Sequence, residues 1–309
     1  MNGPIVAGFD GSAESITATE WAAHEAVLRR LPLELVRVGP RDGTGGPGTS
    51  DARDGYLLIT REAELRALAP GAEVTSIQVP EDPAAVLAAA GRDATMLVLG
   101  SRGLGALRGY LVGSVSQEVL RRATCPVVLV RAEGPAHGTA DGPGAGNAGS
   151  ATADGGTDPG TGTGTGTGRE VVVGLDLEKP CAAVVAFAFR AAAARSAPLR
   201  AVRAWDPPTD SALMAFAAIG NTDEDLAAAA RRELADAWRP WQEHYPGVAA
   251  TAELILGSAA AVLVGTADRA ALVVVGRRAH RSPFGGHLGP VAHAAIHHIR
   301  CPVAVVPHP

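Results

Sequence analysis

One segment of this chain reappears 176 residues later without a gap: AAVLAAAGRDATMLVLG at 84–100 and AAVLVGTADRAALVVVG at 260–276. The same offset carries Gly113 onto Gly289 and Cys125 onto Cys301, and TCPVVLV (124–130) corresponds to RCPVAVV (300–306). Near the starts of the two copies, IVAGFDGS (5–12) answers VVVGLDLE (171–178). Asp10 falls on Asp176 at an offset of 166, so the second copy holds about ten extra residues, which we place in 206–222. Such a chain is a tandem duplication, and its fold must be one that a single copy completes around its own core.

Between the copies the composition changes. From about Ala132 to Gly168 the chain reads almost entirely as Gly, Ala, Thr, Asp and Pro and ends in a Thr-Gly repeat. This is the signature of a flexible linker, and about 35 such residues reach roughly 30–35 Å, close to the width of a small domain. The expected division is therefore a first domain at 1–131, a linker at 132–168 and a second domain at 169–309. Intrachain pairing of the two domains is within the linker's reach, and a homodimer is left open.

Within the first copy, aliphatic runs alternate with helical patterns: IVAGFD, SITATEWAAHEAVLRR, LELVRV, GYLLITREAELRALA, VTSIQV, DPAAVLAAAGR, ATMLVLG, SVSQEVLRRA and PVVLVRA. Runs of Val, Ile and Leu without polar alternation suit strands covered on both faces, as in a parallel sheet. Helix starts are marked by Ser12 with Glu14 behind it, by Asp82-Pro83, and by Gly113 or Ser114. Repeated strand–helix–strand units with right-handed crossovers imply an α/β fold, a doubly wound sheet of about five strands per copy.

The stretch GSRGLGALRGYLVGSV (100–115) carries the chemistry. Gly100 ends an apolar strand, Gly103 and Gly105 follow in a loop, and Gly113-Ser114-Val115 opens a helix. Glycines let backbone approach a ligand, and the first-turn N–H groups of a helix attract phosphate. Ser114 adds a hydroxyl at that end. In an open parallel sheet, ligands lie beyond the carboxyl ends of the strands where strand order reverses. If the first and fourth strands are neighbours, Asp10 stands at that same edge and can accept hydrogen bonds from a ribose hydroxyl or a base amino group.

The spacing G-x2-G-x9-G-S, filled by Gly100, Gly103, Gly113 and Ser114, together with Asp10 and the closing TCPVVLV, resembles the ATP-binding branch of the universal stress protein family. The likeness covers both copies and leaves out the linker. It implies an adenine nucleotide alpha-hydrolase-like fold with a five-stranded parallel sheet of order 3-2-1-4-5 in each domain. It also implies ATP with Mg as the ligand. On this resemblance Gly100, Arg102, Gly103, Gly113, Ser114 and Val115 line the ribose and phosphates, and Asp10 and Val38, with Arg37 beside it, hold the adenosine. A glycine loop that merely turns the chain, with Ser114 as no more than a helix cap, is the alternative for the same residues.

The second copy departs from the pattern. Gly276 and Gly289 persist, but Ala279 replaces the second glycine and Pro290 replaces the serine. Proline offers neither a hydroxyl nor an N–H. A weaker or absent site is expected there, with the basic residues Arg277, Arg278, His280 and Arg281 read as a solvated loop.

Other features narrow the classes. Net charge is −5 and no basic cluster is interleaved with aromatics, which excludes a nucleic-acid footprint. No run suits a bilayer span, the start lacks the basic region of a secretory signal, and three cysteines build no disulfide framework; a soluble cytoplasmic protein is expected. Lys179 is the only lysine, so no P-loop exists. GTGGPG (43–48) matches a dinucleotide fingerprint but is displaced from its strand and reads as an ordinary loop. His293, His297, His298 and His287 read as surface or packing histidines, Cys125 and Cys301 as small buried side chains, and Trp205, Trp238 and Trp241 as packing. The expected function is a nucleotide-dependent regulatory module of the stress response. A slow ATP-hydrolysing or adenylating enzyme, and a nucleotide-free dimerisation scaffold, are the alternatives.

Overall fold

A computed structural model of the chain describes residues 3–39, 50–103, 110–111, 113–132, 170–176, 182–206, 223–278 and 288–309. The first copy runs β1 (Ile5–Gly8), α1 (Ala13–Arg29), β2 (Leu33–Val38), α2 (Ser50–Leu68), β3 (Val74–Val79), α3 (Pro83–Ala90), β4 (Met96–Gly103), β5 (Tyr110–Leu111), α4 (Ser114–Arg122) and β6 (Val127–Arg131). The second runs β7 (Glu170–Gly174), α5 (Ala182–Arg195), β8 (Leu199–Trp205), α6 (Asp223–His244), β9 (Ala250–Leu256), α7 (Ala259–Thr266), β10 (Ala270–Arg278), α8 (Pro290–His298) and β11 (Val303–His308). Apart from Ala132 and Asp206 at their edges, the linker at 132–168 and the extra residues at 206–222 lie outside the described residues, as does the GTGGPG stretch.

The first copy orders its strands β3-β2-β1-β4-β6 and the second β9-β8-β7-β10-β11, parallel throughout. Both are the doubly wound order 3-2-1-4-5, with one addition: β5 returns antiparallel along the end of β4. The two copies meet at their last strands. Leu129, Val128 and Val127 of β6 pair antiparallel with Val303, Ala304 and Val305 of β11, so one sheet runs through both copies.

Helices on both faces explain the unbroken aliphatic strands. Ile5 and Ala7 of β1 belong to a core shared with residues of α1, α2, α5 and α6, while Val6 belongs to the opposite core with residues of α3, α4, α7 and α8. Each fully buried Val or Leu side chain in these layers contributes about 1.5–3 kcal/mol. In the second copy aromatic residues add to the packing: Trp238, Trp241 and Tyr245 of α6 and its end stack around Phe189 of α5, at 5.0, 6.1 and 4.9 Å between centroids.

The helix starts follow the capping chemistry. Ser12 has extended backbone and its Oγ accepts the Ser15 N–H at 3.2 Å; Asp82 accepts the Ala85 N–H at 2.8 Å ahead of Pro83. Arg61 of α2 is buried against α1, donating to Thr19 Oγ1 at 3.0 Å and to the Ile16 carbonyl at 2.7 Å. That fixes the two helices to each other at the end nearest the site.

Candidate functional site

β1 lies between β2 and β4, so the sheet's reversal point falls between β1 and β4. α1 leaves β1 toward one core and α4 packs in the other. The carboxyl ends of β1, β2 and β4 therefore share the edge at which open parallel sheets bind ligands. Asp10 leaves β1 at this edge, exposed, and its Oδ1 accepts the Ser12 N–H at 2.9 Å and the Ser12 hydroxyl at 2.6 Å. Gly11 has φ +83°, a left-handed conformation that suits glycine, and a Cβ there would stand 3.8 Å from Nη1 of Arg37 on β2. Asp10 and the end of β2 thus lie on one rim. Val38 is half-buried against the α3/α4 core and pairs with Val79, which lines a groove of about 420 Å3 with Val36, Ile77 and Val86.

The glycines of the motif have different physical reasons. A Cβ on Gly100 would lie 2.6 Å from the carbonyl carbon of Glu14 and 2.7 Å from its oxygen. Gly100 is bare because the first turn of α1 rests on β4 there, a reason unrelated to a ligand. Gly113 is the N-cap of α4 with φ −60° and ψ 155°, a backbone open to any residue, and a Cβ on it would meet nothing within 4 Å among the described residues. Ser114 begins the helix proper rather than capping it, and Ser114 and Val115 are exposed. The first-turn N–H groups of α4 have no acceptor within their own helix.

Ser116 was not singled out by its sequence context. It is buried, and its hydroxyl donates to the Gly100 carbonyl at 3.3 Å, tying the first turn of α4 to the end of β4. Gly100, Asp10 and the start of α4 are thereby held around one edge. Arg102 and Gly103 lie on the final residues of β4, in register with Leu111 and Tyr110 of β5. Gly105 and Arg108 lie outside the described residues.

In the second copy Gly289 caps α8 with nearly the same geometry, φ −62° and ψ 162°, but the first helical residue is Pro290. Asp176, the counterpart of Asp10, is ion-paired with Arg278, Oδ2 to Nη2 3.6 Å, and Arg278 corresponds to Arg102. A Cβ on Gly276 would stand 2.8 Å from the ring of His308. Ala279, His280 and Arg281 lie outside the described residues. The copy keeps the frame and replaces a donor-bearing helix start with one lacking both the hydroxyl and the N–H.

Known proteins match this chain over nearly its whole length. A family model described as the universal stress protein family matches residues 1–131 and 168–307. The chain belongs to the universal stress protein family. It is 30% identical over 315 residues to universal stress protein Rv2005c of Mycobacterium tuberculosis, covering 97% of this chain and 96% of that one. It is 31% identical to Rv2623 of the same organism, covering 97% and 95%. A crystal structure of a universal stress protein from Archaeoglobus fulgidus superposes with TM-score 0.68 at 16% identity over 99% of each chain, which establishes the shared fold.

Two arginines connect this family fold's two copies on the α4/α8 side. Arg277 of β10 is buried and donates through Nη2 to the Ala123 carbonyl at 2.6 Å and through Nη1 to the Arg121 carbonyl at 3.4 Å, the C-terminal end of α4. Burial pulls its guanidinium pKa downward. In return Arg131 of β6 donates to the Ile296 carbonyl near the end of α8. Cations at helix C-termini are favoured by the dipole. Arg277 therefore acts in packing, and the reading of it as part of a solvated loop is corrected.

The remaining residues have structural roles. Among the described residues no group of three or more His, Cys, Asp or Glu side chains could hold a metal, and the His293 and His297 rings pack tilted at 4.3 Å between centroids. No helix among the described residues is long and apolar enough to cross a membrane. Burial pushes the Cys125 thiol up to about 11, so it stays protonated and unreactive in the folded protein at neutral pH. The unfolded thiol ionises near pH 9. Stability contributed by this group is complete below pH 9 and is lost as pH rises through 11, by up to about 2–3 kcal/mol. Urea melts of the parent between pH 8 and pH 11 should fall more steeply than those of Cys125→Ala, whose curve lacks this component.

Proposed function

We propose that the first copy binds an adenine nucleotide, ATP with Mg2+, at the carboxyl edge of β1, β2 and β4, and that this binding is the protein's regulatory input. The observation that carries the reading is the start of α4: a nine-residue helix capped by Gly113, where a Cβ would meet no described atom within 4 Å, with the exposed Ser114 beside it. A triphosphate there meets first-turn N–H donors and the positive end of the helix. Asp10 accepts from the ribose or base, and Val38 supplies apolar surface for the adenine. Mg2+ arrives with the triphosphate, its charge balanced by phosphate oxygens.

Binding rather than turnover fits the groups present. Hydrolysis needs a residue that orients water on the γ-phosphate; Ser114 and Val115 are not bases, and the Oδ1 of Asp10 is committed to Ser12. The second copy acts as the partner of the first rather than as a second site. On this reading the two copies, 1–131 and 169–309, form one working unit.

Millimolar ATP with Mg2+ should raise the melting temperature by about 5 °C or more, as expected when ligand exceeds its Kd a hundredfold. Nucleotide released on denaturing the purified protein should be adenylate, near one per chain, with no sustained phosphate release on incubation. No stabilisation by ATP and no released nucleotide would remove the reading in favour of a nucleotide-free scaffold. Pro290→Ser combined with Ala279→Gly should raise the stoichiometry toward two, measured by equilibrium dialysis with labelled ATP.

A further inference from the structure

Two half-buried arginines, their side chains 8% exposed, lie where α1 of the first copy meets α5 of the second. At the offset of 166 that takes Asp10 to Asp176, Arg29 corresponds to Arg195, Trp21 to Phe187 and Glu25 to Ala191. The backbone supports this alignment. Arg30 and Ser196, each following its arginine, are the non-glycine residues with left-handed backbone among those described, at φ 54° and 49°. The Arg29 guanidinium lies over the Phe187 ring, 5.3 Å from its centroid, and that of Arg195 lies over the Trp21 ring at 5.7 Å. Each copy offers its aromatic ring to the other's arginine, the reciprocal contact that a two-fold relation produces.

The carboxylate breaks this symmetry. Glu25 is only 1% exposed and accepts from Arg29 Nε on its own helix. It also accepts from Arg195 of the other copy, through Nη1 at 3.3 Å and Nη2 at 2.5 Å. Ala191 has no carboxylate to offer, and Arg195 donates instead to its backbone carbonyl at 3.0 Å. On the side where a second carboxylate would stand, Arg29 Nη2 is buried with no hydrogen-bond partner among the described residues. One acid serves two guanidiniums.

We propose that Glu25 decides which copy pairs with which, making the second copy a surface that fits only a repeat carrying an acid at this position. Pairing two first copies through the same faces would bring together two Glu25 and two Arg29, a balanced set. Pairing two second copies would bury two Arg195 with no carboxylate from this position, and a buried charge stripped of its partner is strongly destabilising. Two chains that exchanged copies would gain the first pair only by forming the second. The unlike pair therefore wins, within one chain or between two. The inference concerns the joint between the copies and stands whether or not the nucleotide reading does.

A protease site inserted between 132 and 168 and cut after purification leaves the copies held by their contacts alone. Mixing isotopically light and heavy nicked protein in mild urea, then weighing the complexes by native mass spectrometry, should give first–second pairs in every label combination and no second–second pairs. Ala191→Glu should make second–second pairs appear. Second–second pairs in the parent at the share of random pairing, or none after Ala191→Glu, would overturn the proposal. In the uncut chain, Glu25→Ala and the shape-conserving Glu25→Gln should each lower the melting temperature by about 10 °C. Moving the acid across the joint, Glu25→Ala with Ala191→Glu, should recover at least about half of that loss; a double variant no more stable than Glu25→Ala would equally overturn it.

Discussion

A Gly100→Val chain is expected to unfold at least about 6 °C below the parent, the largest stability loss of any single change in the glycine motif. The added Cβ would fall 2.6–2.9 Å from the carbonyl carbon, carbonyl oxygen and Cβ of Glu14. Two of these are backbone atoms of a helix and cannot rotate aside. Either α1 lifts from β4 or the strand bends, at a cost of about 3 kcal/mol or more, and a chain of this size loses roughly 2 °C for each kcal/mol. Because Asp10 and Ser12 lead directly into that turn, the displaced helix should also weaken nucleotide binding. Thermal and urea melts of the ligand-free protein read the first effect alone. A Gly100→Val chain as stable as the parent would mean that this helix–strand contact is not as close as described.

Gly113→Leu should do the reverse. The backbone at 113 suits any residue and no described atom lies within 4 Å of a Cβ there, so the fold should survive. Leucine is a poorer N-cap than glycine, a loss below about 1 kcal/mol and a fall of no more than a few degrees. Its side chain, however, would occupy the space before the first turn of α4. We expect ATP affinity to drop about a hundredfold, close to 2.7 kcal/mol, by calorimetry or by loss of thermal stabilisation. Unchanged affinity in a folded Gly113→Leu protein would place the ligand elsewhere and end the phosphate-cradle reading. The contrast between two glycines in one motif separates a residue needed by the protein from one kept bare for something outside it.

The alternation of strands and helices, the caps at Ser12 and Asp82, and the repeat itself were legible because they rest on local patterns: aliphatic runs, turn chemistry, a repeated spacing; the strand order was implied only by the family resemblance. The cause of Gly100's bareness was not legible, since its neighbour Glu14 is 86 residues away and nothing local marks the contact. The return strand at Tyr110-Leu111 is too short for periodicity to reveal it. Ser116 looked like one more polar residue on an amphipathic helix, and only the fold turns its hydroxyl onto the Gly100 carbonyl. The buried arginines were hidden for a related reason. Composition predicts arginine at the surface, and only tertiary structure supplies the carboxylate, aromatic rings and helix carbonyls that let Arg29, Arg195, Arg131 and Arg277 lie inside.

The grip of Arg277 on the far end of α4 has a mechanical meaning. A helix anchored to a neighbouring body at one end, and holding the proposed ligand at the other, would behave as a rod between two bearings. If the seat rises or tightens, the rod transmits the motion to strand β10, on the opposite side of the junction. A listener docked on the second copy could then register occupancy of the first without touching the ligand.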